Sequence, residues 1–292
     1  MKVGLLDVDG HNFPNLALMK LSSYHKQRGD AVEQFFPLAH YDMVYKSKVF
    51  TFTADFQYAI DADTVIQGGT GYGLDNKLPD EIEHIMPDYS LYGIKGIAYG
   101  FLTRGCPRAC GFCIVSPKEG RCSKKVADLK EFMPENTKLI KLLDPNLLAC
   151  TDHIELLEQL AASKTKIDFT QGLDARLLND ENILALNKCR VAKLHFAWDF
   201  MEKSESVLEG LKLYSKLGAV QDVRKRIVYV LTNYNTTHEQ DLYRIYKLRE
   251  LSFDPYVMIY DKQNAPKQTR RLQRWVNSKF IFRSCERFED YK

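Results

Sequence analysis

The sequence predicts an α/β protein: a partial (β/α)6 barrel, preceded by a small Rossmann-like parallel α/β domain and followed by a basic helical C-terminal tail. Three observations support this prediction. Short apolar runs alternate with helical patterns, glycine or polar residues directly follow many of these runs, and basic residues concentrate near residue 292. The 292 residues are 45% hydrophobic, which suffices for a sizeable core. We predict a front domain over 1–93, a barrel over 94–262 and a basic extension over 263–292.

The front domain begins with an apolar strand at 3–6, and an amphipathic helical pattern follows between Pro14 and Gly29. Strands that alternate with helices and end in glycine turns indicate a small parallel sheet. The later strand-like runs are 31–36, 43–45 and 64–66, the last of which leads into Gly68 and Gly69. The acidic segment 79–92 is predicted to be a linker or lid.

The barrel segment contains six strand-like runs separated by helical patterns such as 153–163 and 181–187. In parallel α/β folds the carboxyl ends of the strands carry the active site. The runs are 96–99, 139–143, 167–169, 194–197, 227–231 and 256–260, and polar residues cluster just after them at Asp144, Gln171, Asp199 and Asn233.

The charge is unevenly distributed. The net charge is +3, but residues 262–292 contain nine Lys or Arg against three Asp or Glu. Lys267, Arg270, Arg271 and Arg274 are spaced to line one side of a helix. That side is either a solvated basic surface or a surface for nucleic acid or another anion.

The start of the sequence, MKVGLLDVDGHNF, places Asp7 and Asp9 where a secretory signal needs an unbroken apolar run. Nowhere do about 18 apolar residues stand together, as a membrane-spanning helix requires. We therefore expect a cytoplasmic protein with no membrane partner. In that compartment the seven cysteines stay reduced.

Three cysteines, Cys106, Cys110 and Cys113, are spaced C-x3-C-x2-C directly after the first barrel strand. Thiolates are soft ligands that suit zinc, copper or iron–sulfur clusters. A closed structural zinc site needs four ligands, and no fourth stands at the usual finger spacing, although Cys122 is a candidate. A cubane held by three thiolates leaves one iron open to a small molecule.

The C-x3-C-x-aromatic-C pattern, with Phe112 as the aromatic residue, resembles the signature of the radical S-adenosylmethionine (SAM) superfamily. The front domain resembles, in shortened form, the cobalamin-binding domain that precedes many barrels of that superfamily. The resemblance extends over about residues 94–262. It implies one [4Fe–4S] cluster on Cys106, Cys110 and Cys113, with SAM bound to the open iron. It also implies a flavodoxin- or ferredoxin-like reductant, and cleavage of SAM to methionine and a 5′-deoxyadenosyl radical that takes hydrogen from substrate.

The resemblance also suggests SAM contacts. Where the family often has Gly-Gly-Glu after its second strand, this chain has neither glycine, so Asp144 or Asn146 would serve. Asp199 matches an acid after the fourth strand, and the segment 232–242 matches a polar region after the fifth. The remaining candidate contacts are Gln171, Asp174, Arg176 and Asn233. For each residue the alternative role is a helix cap or a buried ion pair, and residues 235–237 are good helix N-caps.

Cobalamin is a further cofactor to consider. Asp9 and His11 match part of the D-x-H-x-x-G motif of another class of cobalamin-binding modules, but Pro14 stands in place of its glycine. The front region is also short. Both departures count against bound cobalamin.

The expected reaction is a methylation, a rearrangement or another radical C–H functionalisation, and the sequence leaves the substrate open. A radical SAM enzyme that modifies RNA or a nucleotide, presented by the basic tail and the loop 118–125, is one alternative. A non-catalytic binding module stabilised by zinc is the other.

Overall fold

A computed structural model describes residues 1–10 and 13–292. It confirms the α/β class, with parallel sheets. The chain forms two compact units. The first comprises Met1–Gly100, Ala109–Gly120 and Ala127–Ile140, and the second comprises Phe101–Arg108, Arg121–Val126 and Lys141–Lys292.

The first unit begins with a four-stranded sheet, here called the front sheet. Its elements in chain order are β1 (Lys2–Asp7), α1 (Leu16–Gln27), β2 (Ala31–Gln34), β3 (Tyr41–Ser47) and β4 (Ala62–Gly68). The strand order is β2–β1–β3–β4, and every neighbouring pair is parallel. Val3 lies opposite Val32 on one side and Met43 on the other. The parallel sheet predicted for the start of the chain is therefore confirmed.

Helix α1 shows why this sequence folds locally as it does. Asn15 caps its N-terminus, because its side chain accepts a hydrogen bond from the Leu18 amide at 3.2 Å. Gly29, at a φ of 83°, supplies the left-handed turn that follows the helix. Leu18 and Leu21 are buried in a core cluster with Val3 of β1, so the apolar stripe of the helix covers the sheet.

The segment between the front sheet and the cysteines contains short elements. They are α2 (Asp80–Glu83), a 3-10 turn at Tyr89–Tyr92 and β5 (Ile97–Gly100). The Tyr89 hydroxyl donates to the carbonyl of Phe132 at 2.6 Å, which fixes this segment within the first unit. Next come β6 (Thr103–Arg104), α3 (Val115–Glu119), β7 (Lys124–Lys125) and β8 (Leu139–Leu142), with β6 and β7 antiparallel.

From His153 to Ile259 the longer helices alternate with the strands. The elements are α4 (His153–Ala162), β9 (Lys166–Leu173), α5 (Asp180–Lys188), β10 (Arg190–Ala197), α6 (Ser204–Leu217), β11 (Arg226–Thr232), α7 (His238–Glu250) and β12 (Asp254–Ile259). They complete a six-stranded sheet in the order β12–β11–β10–β9–β8–β5. The pairs β9–β10, β10–β11 and β11–β12 are parallel. All six predicted strands are present, but the described strands form no closed barrel, and the partial barrel stays a prediction.

The six-stranded sheet presents different side chains on its two faces. On one face Phe196 is fully buried, with its ring 5.5 Å from that of Tyr214 on α6. The opposite face carries His195 of β10 and Tyr229 of β11, whose rings stack at 5.1 Å. The helices therefore cover the apolar face, and the opposite face is polar and aromatic.

The basic tail is helical, as predicted, and forms α8 (Lys267–Asn277) and α9 (Lys279–Ser284). Lys267, Arg270, Arg271 and Arg274 are exposed on α8, whereas Leu272, Trp275 and Val276 are completely buried in a cluster with Phe282 and Phe288. Further 3-10 turns lie at Leu129–Glu131, Leu147–Ala149, Ala175–Leu177, Met201–Lys203 and Val223–Lys225. Among the described helices, none combines the length and hydropathy needed to cross a bilayer.

Candidate functional site

The candidate site lies where the strands of the second unit end. Because β9, β10, β11 and β12 are parallel, their carboxyl ends share one edge of the sheet. The predicted residues Asp174, Asp199 and Asn233 follow β9, β10 and β11 at this edge. Asn146, after β8, joins them through a contact between its amide Nδ2 and Asp174 Oδ2 at 3.4 Å.

Asp144 fixes the chain that leads into the cysteine motif. It is buried, and its carboxylate accepts hydrogen bonds from the Leu102 amide at 3.2 Å, the Thr103 amide at 2.5 Å and the Thr103 hydroxyl at 2.7 Å. Burial raises the pKa of Asp144 to about 6, although these hydrogen bonds oppose the shift. Asp144 thus holds a position three residues before Cys106.

Asn146 contacts the first cysteine itself. Its Nδ2 lies 3.6 Å from Cys106 Sγ, within the longer distance of a hydrogen bond to sulfur. The Asn146 side chain is buried, and its Oδ1 has no hydrogen-bond partner among the described residues. Asn146 therefore places a buried amide donor beside the Cys106 sulfur.

Asp174 forms ion pairs with two arginines. Its carboxylate accepts from Arg176 Nε at 2.7 Å and Nη2 at 3.0 Å, and from Arg108 Nε at 2.5 Å. Burial by itself would raise the pKa of Asp174, but the two guanidinium groups outweigh it and hold the pKa below its ordinary value. Arg108 lies two residues after Cys106, so within the second unit this network includes a close sequence neighbour of the first cysteine.

Gly210 allows α6 to pack closely against the turn that contains Arg176, one of the two arginines paired with Asp174. A Cβ atom at Gly210 of α6 would lie 1.8 Å from the carbonyl oxygen of Ala175. The helix therefore packs directly against the 3-10 turn that contains Arg176.

Asp199 differs from Asp174 in its electrostatic setting. Burial raises its pKa to about 6, against the opposing effects of Arg244 and Arg176. Arg244 is completely buried and donates to the carbonyls of Trp198 at 2.6 Å and Leu231 at 2.8 Å. It thereby ties together the ends of β10 and β11, and it also donates to the Asp199 carbonyl at 3.2 Å.

Two predicted contact residues stand apart from this network. The amide of Asn233 donates to the Tyr260 carbonyl at 2.8 Å and so joins the ends of β11 and β12. Gln171 is exposed on β9, and its side chain makes no hydrogen bond within the part of the chain that the structure describes. Thr237 is the N-cap of α7, with Gln240 completing a capping box, as the composition of that stretch predicted.

The cysteines of the motif are all half-buried. Within the first unit, the Cys113 amide donates to the Cys110 carbonyl at 2.9 Å, which closes a tight turn between these two cysteines. Ala109 and Gly105 have positive φ values of 47° and 87°, so the backbone of the motif is sharply turned. Cys122, the candidate fourth ligand, is exposed, and Phe112 is half-buried.

The donor set suits an iron–sulfur cluster. It offers three half-buried cysteines on eight consecutive residues, Cys106 in the second unit and Cys110 and Cys113 in the first. Within the second unit, Asn146 adds an amide donor and an orphaned buried oxygen beside Cys106. On these grounds, Cys106, Cys110 and Cys113 fit the cluster that the motif predicts.

Sequence reasoning missed a buried pair on the polar face of the sheet. His195 Nδ1 lies 3.0 Å from the Phe169 carbonyl and 3.4 Å from Asp168 Oδ1. Burial raises the pKa of Asp168 and lowers that of His195, so each is driven toward its neutral form. The alternation of apolar Ile167 and Phe169 around Asp168 was the available signal, because it directs Asp168 to the opposite face.

The polar side chain of Asp9, after β1, is hydrogen-bonded within the first unit. Asp9 accepts from the Val49 amide at 2.5 Å and from the Thr53 hydroxyl at 2.7 Å. Its predicted motif partner His11 lies outside the described residues. Gly69 approaches Lys48 so closely that a Cβ would lie 2.3 Å from its carbonyl oxygen, which explains the glycine by packing.

One group of possible metal ligands also lies on the front sheet. Among the described residues, His40, Asp42 and Asp63 place three ligand atoms within 4.8 Å of one another. His40 already pairs with Asp61 at 2.9 Å, and this contact raises its pKa. The pairing accounts for the cluster without an ion.

Comparisons with known proteins do not assign a family. No protein-family model matches the chain, and a search of curated proteins finds no match.

Proposed function

We propose that the chain is a radical SAM enzyme in which Cys106, Cys110 and Cys113 hold one [4Fe–4S] cluster and SAM binds beside it. The C-x3-C-x-aromatic-C spacing after a strand carries the proposal. It is supported by the second unit, where polar residues at the ends of parallel strands contact Cys106 and its neighbour Arg108. As part of the proposal, the six strands in sequential order form an open partial barrel.

When bound, the cluster would supply the electron that cleaves SAM into methionine and a 5′-deoxyadenosyl radical. The chain's own residues bind and orient. Asp144 anchors the segment before Cys106, and Asn146 directs an N–H group at the Cys106 sulfur. Asp174 holds Arg108 and Arg176, whose charges suit the carboxylate of a bound SAM.

The remaining predicted contacts have more limited roles in this proposal. Asp199, which titrates near pH 6, is suited to accept a hydrogen bond from the amino group or ribose of SAM. Asn233 positions the end of β12 through the Tyr260 carbonyl. The exposed Gln171 stays available to a ligand.

The proposal names the reductant and the reaction by class only, and it leaves the substrate open. A flavodoxin- or ferredoxin-like protein would supply the electron. The reaction class is C–H functionalisation or methylation. Cobalamin is not part of the proposal, because Asp9 is engaged by the backbone and side chain of the segment after β3.

The test is anaerobic iron–sulfur reconstitution of the full chain, followed by electron paramagnetic resonance (EPR) with and without SAM and a 5′-deoxyadenosine assay. We expect a reduced-cluster signal that changes on adding SAM, with 5′-deoxyadenosine formed. Cys106→Ala should abolish both, whereas Cys285→Ala, outside the motif, should retain both. Asn146→Ala should retain iron and slow SAM cleavage about tenfold, since it removes one hydrogen bond to sulfur.

A protein that holds one zinc, takes up no iron and ignores SAM would overturn the proposal. The zinc-stabilised binding module would then be the better description, and chelation should unfold it.

A further inference from the structure

A concave basic surface lies between α8 and residues 291–292 of the second unit. It is an open cleft with a volume of about 410 Å³, and we call it the arginine cleft. Its lining residues are Arg270, Arg271, Arg274, Tyr291 and Lys292.

The cations of the cleft are not neutralised by the protein. Within the described residues, none of the three arginines has a carboxylate within 4 Å, although Glu289 and Asp290 lie in the same C-terminal segment. Lys279 on the neighbouring helix shows the contrast, because it pairs with Asp254 at 2.8 Å. The cleft therefore gathers positive charge that an external anion would stabilise.

The placement of Arg270 near the start of α8 works against helix stability, whereas Arg274 lies in the last turn, where a cation is favourable. The first turn of α8 contains no acidic residue, and Lys267 and Arg270 stand at its positive end. A basic side chain at this end interacts unfavourably with the helix dipole. An anion bound beside Arg270 would offset this cost.

The cleft is also pre-formed. Leu272, Trp275 and Val276 bury the opposite side of α8 in the core of the second unit. The Arg271 guanidinium lies over the rings of Phe288 and Tyr291, at 5.2 Å and 5.4 Å from their centroids. Side chains held in this way lose little conformational entropy when a ligand binds.

We propose that the arginine cleft binds phosphate groups, carried either by a small phosphate ester or by a nucleic-acid backbone. Guanidinium groups present forked donors that match phosphate oxygens in pairs, and three of them line one concavity. Tyr291 adds a hydroxyl that can donate to a phosphate oxygen. The inference does not depend on the proposed iron–sulfur chemistry and holds for the chain with or without a cluster.

The test uses the full chain and two probes: inorganic pyrophosphate by calorimetry, and a labelled single-stranded RNA 12-mer by fluorescence anisotropy. Arg270→Gln combined with Arg274→Gln should weaken binding at least about tenfold, because the variant lacks two of the three guanidinium groups that line the cleft. Both residues are exposed, so the variant should retain the wild-type circular dichroism spectrum. Arg283→Gln combined with Arg287→Gln removes the same charge outside the cleft and should change binding less than about twofold.

The two probes also distinguish the source of the phosphate. RNA that binds more tightly than pyrophosphate, is displaced by it and weakens steeply with salt identifies a nucleic-acid backbone. Pyrophosphate binding without RNA binding identifies a small phosphate ester. Equal weakening by both double variants, or no saturable binding of either probe to the wild-type chain, would overturn the proposal.

Discussion

The two parallel sheets of the molecule differ in the order of their strands. The front sheet runs β2–β1–β3–β4, so the chain reverses direction across the sheet after β2. In the six-stranded sheet each new strand is added beside the last, from β8 to β12, without a reversal. The first pattern is that of a doubly wound sheet and the second that of a singly wound one.

The connections differ as well. In the six-stranded sheet a helix joins each successive pair from β8 to β12, namely α4, α5, α6 and α7. In the front sheet, among described residues, α1 is the helical crossover and the two later connections contain none. A repeated strand–helix unit places the residue after each strand at one common edge, so the longer sheet can gather several polar groups there.

The carboxylates reflect this difference. Among the described residues of the first unit, every shifted carboxyl pKa is lowered by pairing, as at Asp30 beside His25 and Asp55 beside Lys46. In the second unit, burial raises the pKa values of Asp144 and Asp199 to about 6. The carboxylates with shifted pKa values in the first unit are therefore paired within that unit, whereas the second unit contains buried carboxyl groups with pKa values of about 6.

The largest expected effect tests whether a buried cation holds the strand ends of the longer sheet. Arg244→Met should lower the free energy of unfolding by about 3–5 kcal/mol, because Asp241 and the carbonyls at the ends of β10 and β11 lose their buried hydrogen-bond donor. Guanidinium denaturation of the full chain measures this change. Arg283→Met, at an exposed position, should cost less than about 0.5 kcal/mol. A loss below about 1 kcal/mol for Arg244→Met would contradict the assigned role.

The second prediction concerns pH and sharpens the contrast between the carboxylates. The pKa of Asp144 rises from 3.8 to about 6 on folding, so folding favours its protonated form. The contribution of Asp144 to the free energy of unfolding should therefore be most favourable below about pH 4. It should fall by up to about 3 kcal/mol as the pH rises to 6. Urea unfolding at several pH values should show a flatter profile for Asp144→Asn than for the wild-type chain. The exposed Asp75→Asn serves as the control, and parallel wild-type and Asp144→Asn profiles would refute the prediction.

The smallest expected effects compare one helix cap from each sheet. Asn15→Ala should cost about 2 kcal/mol, because the buried Asn15 caps α1 and also donates to the Ser47 hydroxyl at 2.9 Å. Thr237→Ala should cost about 1 kcal/mol, since Thr237 is exposed and only caps α7. Thermal unfolding of the two variants measures the difference. Equal losses would show that the front sheet gains nothing from the second hydrogen bond.

Much of this fold could be predicted because the local signals were strong. Apolar runs bounded by glycine or polar residues located all ten strands of the two parallel sheets, and Thr237 was recognisable as a cap. The strand order of the front sheet was not predictable, because reversal depends on which strands pair rather than on local pattern.

The site could be predicted only in outline. The positions after the strands were visible, so Asp144, Asn146 and Asp174 were candidates from the start. Their partners were not visible: the hydrogen bond from Asn146 to Cys106 joins residues 40 positions apart, and that between Arg108 and Asp174 spans 66. The arginine cleft was anticipated as a basic helix side, but its concavity depends on Tyr291 folding back toward α8.

The close contact between Gly210 and Ala175 also bears on how this lineage could diverge. Any other residue at position 210 would collide with a backbone oxygen, even though glycine inside a helix costs about 1 kcal/mol relative to alanine. Related sequences can therefore vary at most surface positions of α6, but should keep glycine at position 210. A glycine at the seventh position of that helix is thus a marker by which distant relatives, too dissimilar for ordinary alignment, should be recognisable.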